Sequence, residues 1–209
     1  MTTDLAQHLA ERLQATLPFL DRVTGLARVH ERTIMDGDTP RSERLPVPAA
    51  YTAAECERDG RYLTPDEHTG SIVFFEDGGE ISTGQGQATQ REATLRLLLW
   101  LNPFKLSHAL PQNRLQAEVE QALSVRRRFD TGDYRGLFIT TSTLPAGAAL
   151  LSAYSFGGGT TPLLYPPYQL LGLELKCRYQ YAPACLLPAL PTLDLDRTAC
   201  LLPPASPIL

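Results

Sequence analysis

Ala93-Thr-Leu-Arg-Leu-Leu-Leu-Trp-Leu-Asn-Pro-Phe-Lys-Leu106 is the most apolar run of the chain, and its reading decides the fold. As a strand it turns Ala93, Leu95, Leu97, Leu99 and Leu101 to one side and Thr94, Arg96, Leu98 and Trp100 to the other. The second side becomes apolar toward its end, so both faces are expected to be covered there. Asn102-Pro103 stops the strand, because proline has no N–H for a ladder and biases the preceding residue away from helix. A central strand of this kind needs neighbours, and the flanking sequence supplies them.

Downstream, Gln112 to Arg128 carries Leu115, Val119, Ala122 and Leu123 at helical spacing. Its last residues, Arg126-Arg127-Arg128, admit two readings: positive charge favoured at the negative end of the helix dipole, or a patch for phosphate or for acidic side chains of a neighbour. Tyr134 to Thr140 reads as a strand, and Tyr168 to Tyr181 as a long one. In the latter Leu171, Leu173, Leu175, Cys177 and Tyr179 share a face, and Glu174, Lys176, Arg178 and Gln180 share the other. That polar face is expected to be wet or to lie against another subunit.

Upstream, Leu5, Leu9, Leu13 and Leu17 recur every four residues between Asp4 and Pro18, the pattern of an amphipathic helix. Val23 to Ile34 reads as a strand and Met35 to Pro40 as a turn. The segment 41–70 reads as an excursion from the core with a short helix or turn around Thr52 to Arg58. Ser71 to Glu76 is a short strand closed by Asp77-Gly78-Gly79.

These elements, strand following strand with two helices, predict an α+β domain over residues 1–181: a mainly antiparallel sheet covered by two helices on one face. Residues 182–209 are different in kind. Six prolines fall among these 28 residues with no period, and Pro183, Leu186, Leu187, Leu201 and Leu202 are among its residues. They predict an extended proline-rich C-terminal arm of up to about 90 Å, whose leucines need a groove on this subunit or the next.

Chemical motifs are absent. Gly84-Gln85-Gly86-Gln87 lacks the third glycine and following helix of a dinucleotide site and the lysine of a phosphate loop; it reads as a hairpin connection that orders against a partner. Asp36-Gly37-Asp38 does not have calcium-loop spacing. Tyr154-Ser155-Phe156-Gly157 is not a nucleophile elbow. Cys56, Cys177, Cys185 and Cys200 form no C-x-x-C pair. Asp66-Glu67-His68, with His108, is the one acid–base cluster an enzyme reading would use, and adjacent loop residues point apart. No catalytic residue, cofactor or metal is therefore expected. The formal net charge of −4 argues against a protein that coats nucleic acid. No apolar run reaches the about 18 residues a membrane span needs, and Met1 to His8 lacks a signal pattern, so synthesis in the cytoplasm is expected.

Several short words carry a resemblance: Gly25-Leu26-Ala27-Arg28, Leu45-Pro46-Val47-Pro48-Ala49-Ala50-Tyr51, Gly60-Arg61-Tyr62, Val73-Phe74-Phe75, Leu99-Trp100-Leu101-Asn102 and Pro167-Tyr168. In this order, over residues 20 to 181, they resemble small proteins of prophage-like and contractile tail-like clusters of the tail-terminator, or tail-completion, kind. The resemblance implies a virion or tail-like-particle component: a homo-oligomeric ring, commonly of six, that caps a tail tube and joins it to sheath, neck or head. DNA would pass through the lumen without specific binding. The expected contacts are Gly84, Gln85 and Gly86 toward the tube or lumen, Arg126, Arg127 and Arg128 toward a neighbour, and the arm around an adjacent subunit. The rival classes are a head–tail connector or baseplate part, a cytoplasmic binding module, and a small enzyme.

Overall fold

The computed structural model describes residues 2–59, 61–64, 69–82, 90–106, 112–123, 129–131, 134–156 and 168–181. In chain order these form α1 (Thr2–Thr16), β1 (Arg22–Asp36), β2 (Thr39–Pro48), α2 (Ala53–Asp59), β3 (Ser71–Ser82), β4 (Gln90–Leu101), α3 (Gln112–Leu123), β5 (Phe129–Thr131), β6 (Tyr134–Thr143), a 3₁₀ turn (Ala148–Leu151) and β7 (Gln169–Tyr181). The strands are ordered β2-β1-β3-β4-β7-β6-β5. Six of them, from β1 to β5, make a mixed, mostly antiparallel sheet on which α1 and α3 pack. The fold is α+β.

The central strand is β4, as its apolar run predicts. It pairs along its whole length with β7, Gln90 opposite Gln180 and Leu101 opposite Gln169, and on its other side with β3. Its Ala93, Leu95, Leu97, Leu99 and Leu101 join Val73 and Phe75 of β3, Leu171, Leu173, Leu175 and Cys177 of β7, and the apolar stripes of α1 (Leu5, Leu9, Leu13) and α3 (Leu115, Val119, Leu123) in one core. The alternate set, Leu98 and Trp100, enters a second core on the opposite face with Ile72, Phe74, Leu170, Leu150, Leu151, Tyr154 and Phe156. Both faces of the end of β4 are thus covered, one by helices and the other by a layer without regular helix or sheet.

The parallel contact between β1 and β3 is fastened at its start. Asp21 accepts hydrogen bonds from the backbone N–H groups of Gly70 (2.8 Å) and Ser71 (3.0 Å), while the Asp21 N–H donates to Ser71 Oγ at 2.7 Å. This clamp sets the register, and the pairing runs only from Arg22 opposite Ile72 to Leu26 opposite Phe75. Beyond it β1 leaves the sheet and pairs with β2, Ala27 opposite Pro48 through to Asp36 opposite Thr39 around a turn in which Gly37 has φ 61°.

Two expectations need correction. Residues 41–70 are not an excursion outside the core: residues up to Pro48 form β2, whose Leu45 and Val47 are buried. Prolines 40, 46 and 48 hid this strand from a propensity reading, and they are tolerated because β2 is the edge of the sheet. Likewise β3 does not end at Asp77-Gly78-Gly79. It bulges there, with Gly79 at φ 101°, and continues to Ser82. One extra residue in a strand exchanges inside for outside, so Glu80 faces the helix side, opposite Ala93, although Glu76 faces away.

Candidate interaction surfaces

All the contact residues expected from sequence, Gly84, Gln85, Gly86, Arg126, Arg127, Arg128, Pro183, Leu186, Leu187, Leu201 and Leu202, lie outside the described residues, as do Asp66, Glu67, His68 and His108. The described part offers two surfaces that sequence reasoning did not resolve.

The first is the β1–β2 hairpin. Its base is buried: Leu45 belongs to the second core, and the Leu63 N–H donates to the Pro46 carbonyl at 2.8 Å. Its outer half is exposed from Met35 to Ser42, and Met35 is 65% exposed. Ion pairs between the strands hold it together. Arg32 meets Glu43 at 2.7 Å, Arg44 meets Glu31 at 3.1 Å, and Arg41 meets Asp36 at 2.9 Å. The Arg32 guanidinium also lies 4.8 Å over the Tyr62 ring, which anchors the ribbon to the chain after α2. Burial works to lower the Arg32 guanidinium, and the hydrogen bonds and charges of Glu43 and Tyr62 outweigh it and hold the group above its ordinary value. Two-stranded ribbons are marginal alone in water, and these pairs explain how this one keeps its shape.

The second surface is the lower half of the sheet face opposite the helices. Here β3, β4 and β7 present alternating charges: Glu76 beside Arg96 at 3.0 Å, and Glu92 beside Arg178 at 2.6 Å. Lys176 stands 3.8 Å from Glu174. Lys176, Arg178 and Gln180 are exposed, so this half has no covering layer among the described residues. Ile81, 60% exposed, stands opposite Glu92 at its margin. At the bottom edge a cleft of about 400 Å³ is lined by Gln90, Arg91, Arg135, Phe138, Arg178 and Gln180. Of the cleft's guanidiniums, Arg91 is paired with Glu80 (2.7 Å) and Arg178 with Glu92 (2.6 Å).

Burial pushes the Cys177 thiol up to about 12, which keeps it protonated and inert, and Cys56 is also buried and free. Burial and the neighbouring Glu76 raise the Tyr154 phenol. Among the described residues there is no group of three or more His, Cys, Asp or Glu side chains positioned to hold a metal ion, and no helix is long and apolar enough to cross a membrane. What these surfaces can do is meet other protein surfaces through backbone edges and paired charges. No protein-family model, curated protein or solved structure matches the chain.

Proposed function

We propose that this chain is a structural subunit that assembles into a ring on a phage tail or tail-like particle, capping the tail tube in the manner of the tail-terminator proteins its sequence resembles. The observation that carries the reading is the β1–β2 hairpin: an ion-paired ribbon that leaves the sheet after Leu26 and projects a mostly exposed outer half. A ring needs two different surfaces on each subunit that meet head to tail. The hairpin at one edge and the charged open half of the sheet face offer such a pair. Paired charges suit an interface because they fix orientation and exclude wrong registers while adding little stickiness to the free subunit. The net charge of −4 agrees with a lumen that does not hold DNA.

The test is the solution mass of the full-length chain by light scattering, with negative-stain images of the same fraction, alone and after mixing with isolated tail tubes. A closed ring near six subunits, or ring formation at tube ends, is the expected result. A chain that stays monomeric in both conditions overturns the proposal.

A further inference from the structure

On the sheet face away from the helices, β4 and β7 carry charge in opposite order. Down this face β4 places Arg96, Thr94 and Glu92, and β7 places Glu174, Lys176 and Arg178 opposite them in register. The upper row is therefore arginine beside acid and the lower row acid beside arginine, with Thr94 beside Lys176 between them. The lower pair meets at 2.6 Å, and Lys176 stands 3.8 Å from Glu174. The Arg178 side chain is 70% exposed and that of Lys176 53%. Ile81 of β3 and Phe138 of β6 stand at the two ends of the lower row.

Such a pattern is complementary to itself when turned end for end. Take a two-fold axis that lies in the contact plane and crosses the strands through Thr94 and Lys176. The upper row of one copy then falls on the lower row of the other. Arg96 faces Glu92 of the second copy, Arg178 faces its Glu174, and each contact occurs twice by symmetry. Lys176 alone meets its own kind, and its charge is shared with the adjacent Glu174.

Shape selects the same axis. The layer containing Leu150, Tyr154 and Phe156 covers the half of this face above Glu76 and Arg96. An axis running along the strands also opposes unlike charges, Arg96 to Glu174 and Glu92 to Arg178, but it sets one copy's layer against the other's. Turned end for end, each layer passes beyond the lower end of the facing sheet, and the two charged halves meet.

We infer that the lower half of this face docks on the same face of a second copy through this two-fold contact, with the reversed order of charge on β4 and β7 fixing its orientation. The patch spans three strand spacings by four residue rises, about 14 Å each way. That is smaller than the contact of a stable dimer, so the pair is weak and sensitive to salt. The inference does not rest on the ring reading. One face holds a second copy or a ring neighbour's hairpin, not both, so the pair is a state of the free chain at low salt.

The experiment is light scattering on the full-length chain at neutral pH, at low salt and at about 0.5 M, where charges are screened within about 4 Å. The parent is expected at twice the chain mass at low salt and at the mass of one chain at high salt. Arg178→Glu and Glu174→Arg each set like charges across the axis, and each is expected to be monomeric at low salt with unchanged Trp100 emission. Mixed in equal amounts, the two restore the double mass, because each supplies the sign the other lost; with the axis along the strands the mixture leaves like charges opposed and stays monomeric. A parent that is monomeric at low salt overturns the inference, as does a mixture that does not recover. A larger oligomer indifferent to salt and to both substitutions overturns it too and leaves the ring reading standing. The parent's salt dependence needs no substitution and decides alone where a variant does not fold.

Discussion

Glu76 of β3 and Arg96 of β4 stand opposite each other and meet at 3.0 Å, at the border where the second face of the sheet passes from covered to open. Above them are Phe74, Leu98 and the Tyr154–Phe156 layer; below them are the exposed charges of β7. Glu76 is buried, its Oε2 takes the arginine, and its Oε1 is a buried oxygen without a hydrogen-bond partner among the described residues. An acid in this position holds the border at some cost to stability.

That cost is visible in pH. Burial raises the Glu76 carboxyl above its ordinary 4.5, and the Tyr154 hydroxyl and the Arg96 charge only partly oppose it. A raised folded-state value means that the folded chain binds the proton more tightly than the unfolded one. The stabilising contribution is complete below 4.5 and is lost as pH rises through the folded value. Glu76→Gln removes this dependence. Urea unfolding is expected to show the variant gaining stability relative to the parent as pH rises from below 4.5 to neutrality. A difference between variant and parent that is the same at both pH values contradicts this account.

Trp100, the only tryptophan, is 1% exposed and makes a T-shaped contact with Phe156, ring centroids 5.6 Å apart and planes at 74°. Phe156→Ala empties the ring's place above it. The expected loss is about 3 kcal/mol, with the Trp100 emission moving to longer wavelength in the folded protein as water reaches the indole. Unchanged emission in a folded variant means that the covering layer closes over the gap.

The bulge in β3 separates two kinds of glycine. A Cβ on Gly78 meets the Thr94 carbonyl oxygen at 2.9 Å, a backbone atom of the central strand that cannot yield, whereas Gly79 has open space and φ 101°. Gly78→Ala is expected to cost about 1–3 kcal/mol through crowding, and Gly79→Ala about 1 kcal/mol through its backbone angle. Adding Thr94→Ser, which removes the Thr94 Cγ2 also 2.9 Å from that Cβ, rescues Gly78→Ala in part and Gly79→Ala not at all. Chemical denaturation of the four variants reads the difference.

Period carried the legible part of the fold. Leu5, Leu9 and Leu13 announced α1, the apolar run at Leu97–Leu101 announced β4 with both faces covered, and the alternation of Leu171 to Tyr179 announced β7. Where tertiary pairing overrides local preference, the pattern misled: β2 carries three prolines that only an edge position accommodates, and β3 runs through two glycines because a bulge absorbs them. One missed signal was present. Thr52-x-x-Glu55 is a capping box, with the Thr52 N–H donating to Glu55 Oε2 at 2.8 Å and the Glu55 N–H to Thr52 Oγ1 at 3.3 Å. The candidate surfaces were less legible, because the point where β1 leaves the sheet depends on where its pairing with β3 stops, a property of two segments some fifty residues apart.

Separating the arm from the domain gives the last prediction. Among the described residues both apolar cores lie between Leu5 and Tyr179, and β7 is the last strand. Ending the chain after Tyr181 therefore removes none of the described packing, and the truncated chain is expected to unfold with the same midpoint as the parent. If the arm closes the ring, its loss changes association alone: light scattering is expected to fall from the oligomer to the monomer mass while the Trp100 emission and denaturation curve stay fixed. An undiminished oligomer excludes the arm from assembly and leaves the hairpin and the charged face to carry it. An unfolded truncated chain instead makes the arm part of the subunit's own core.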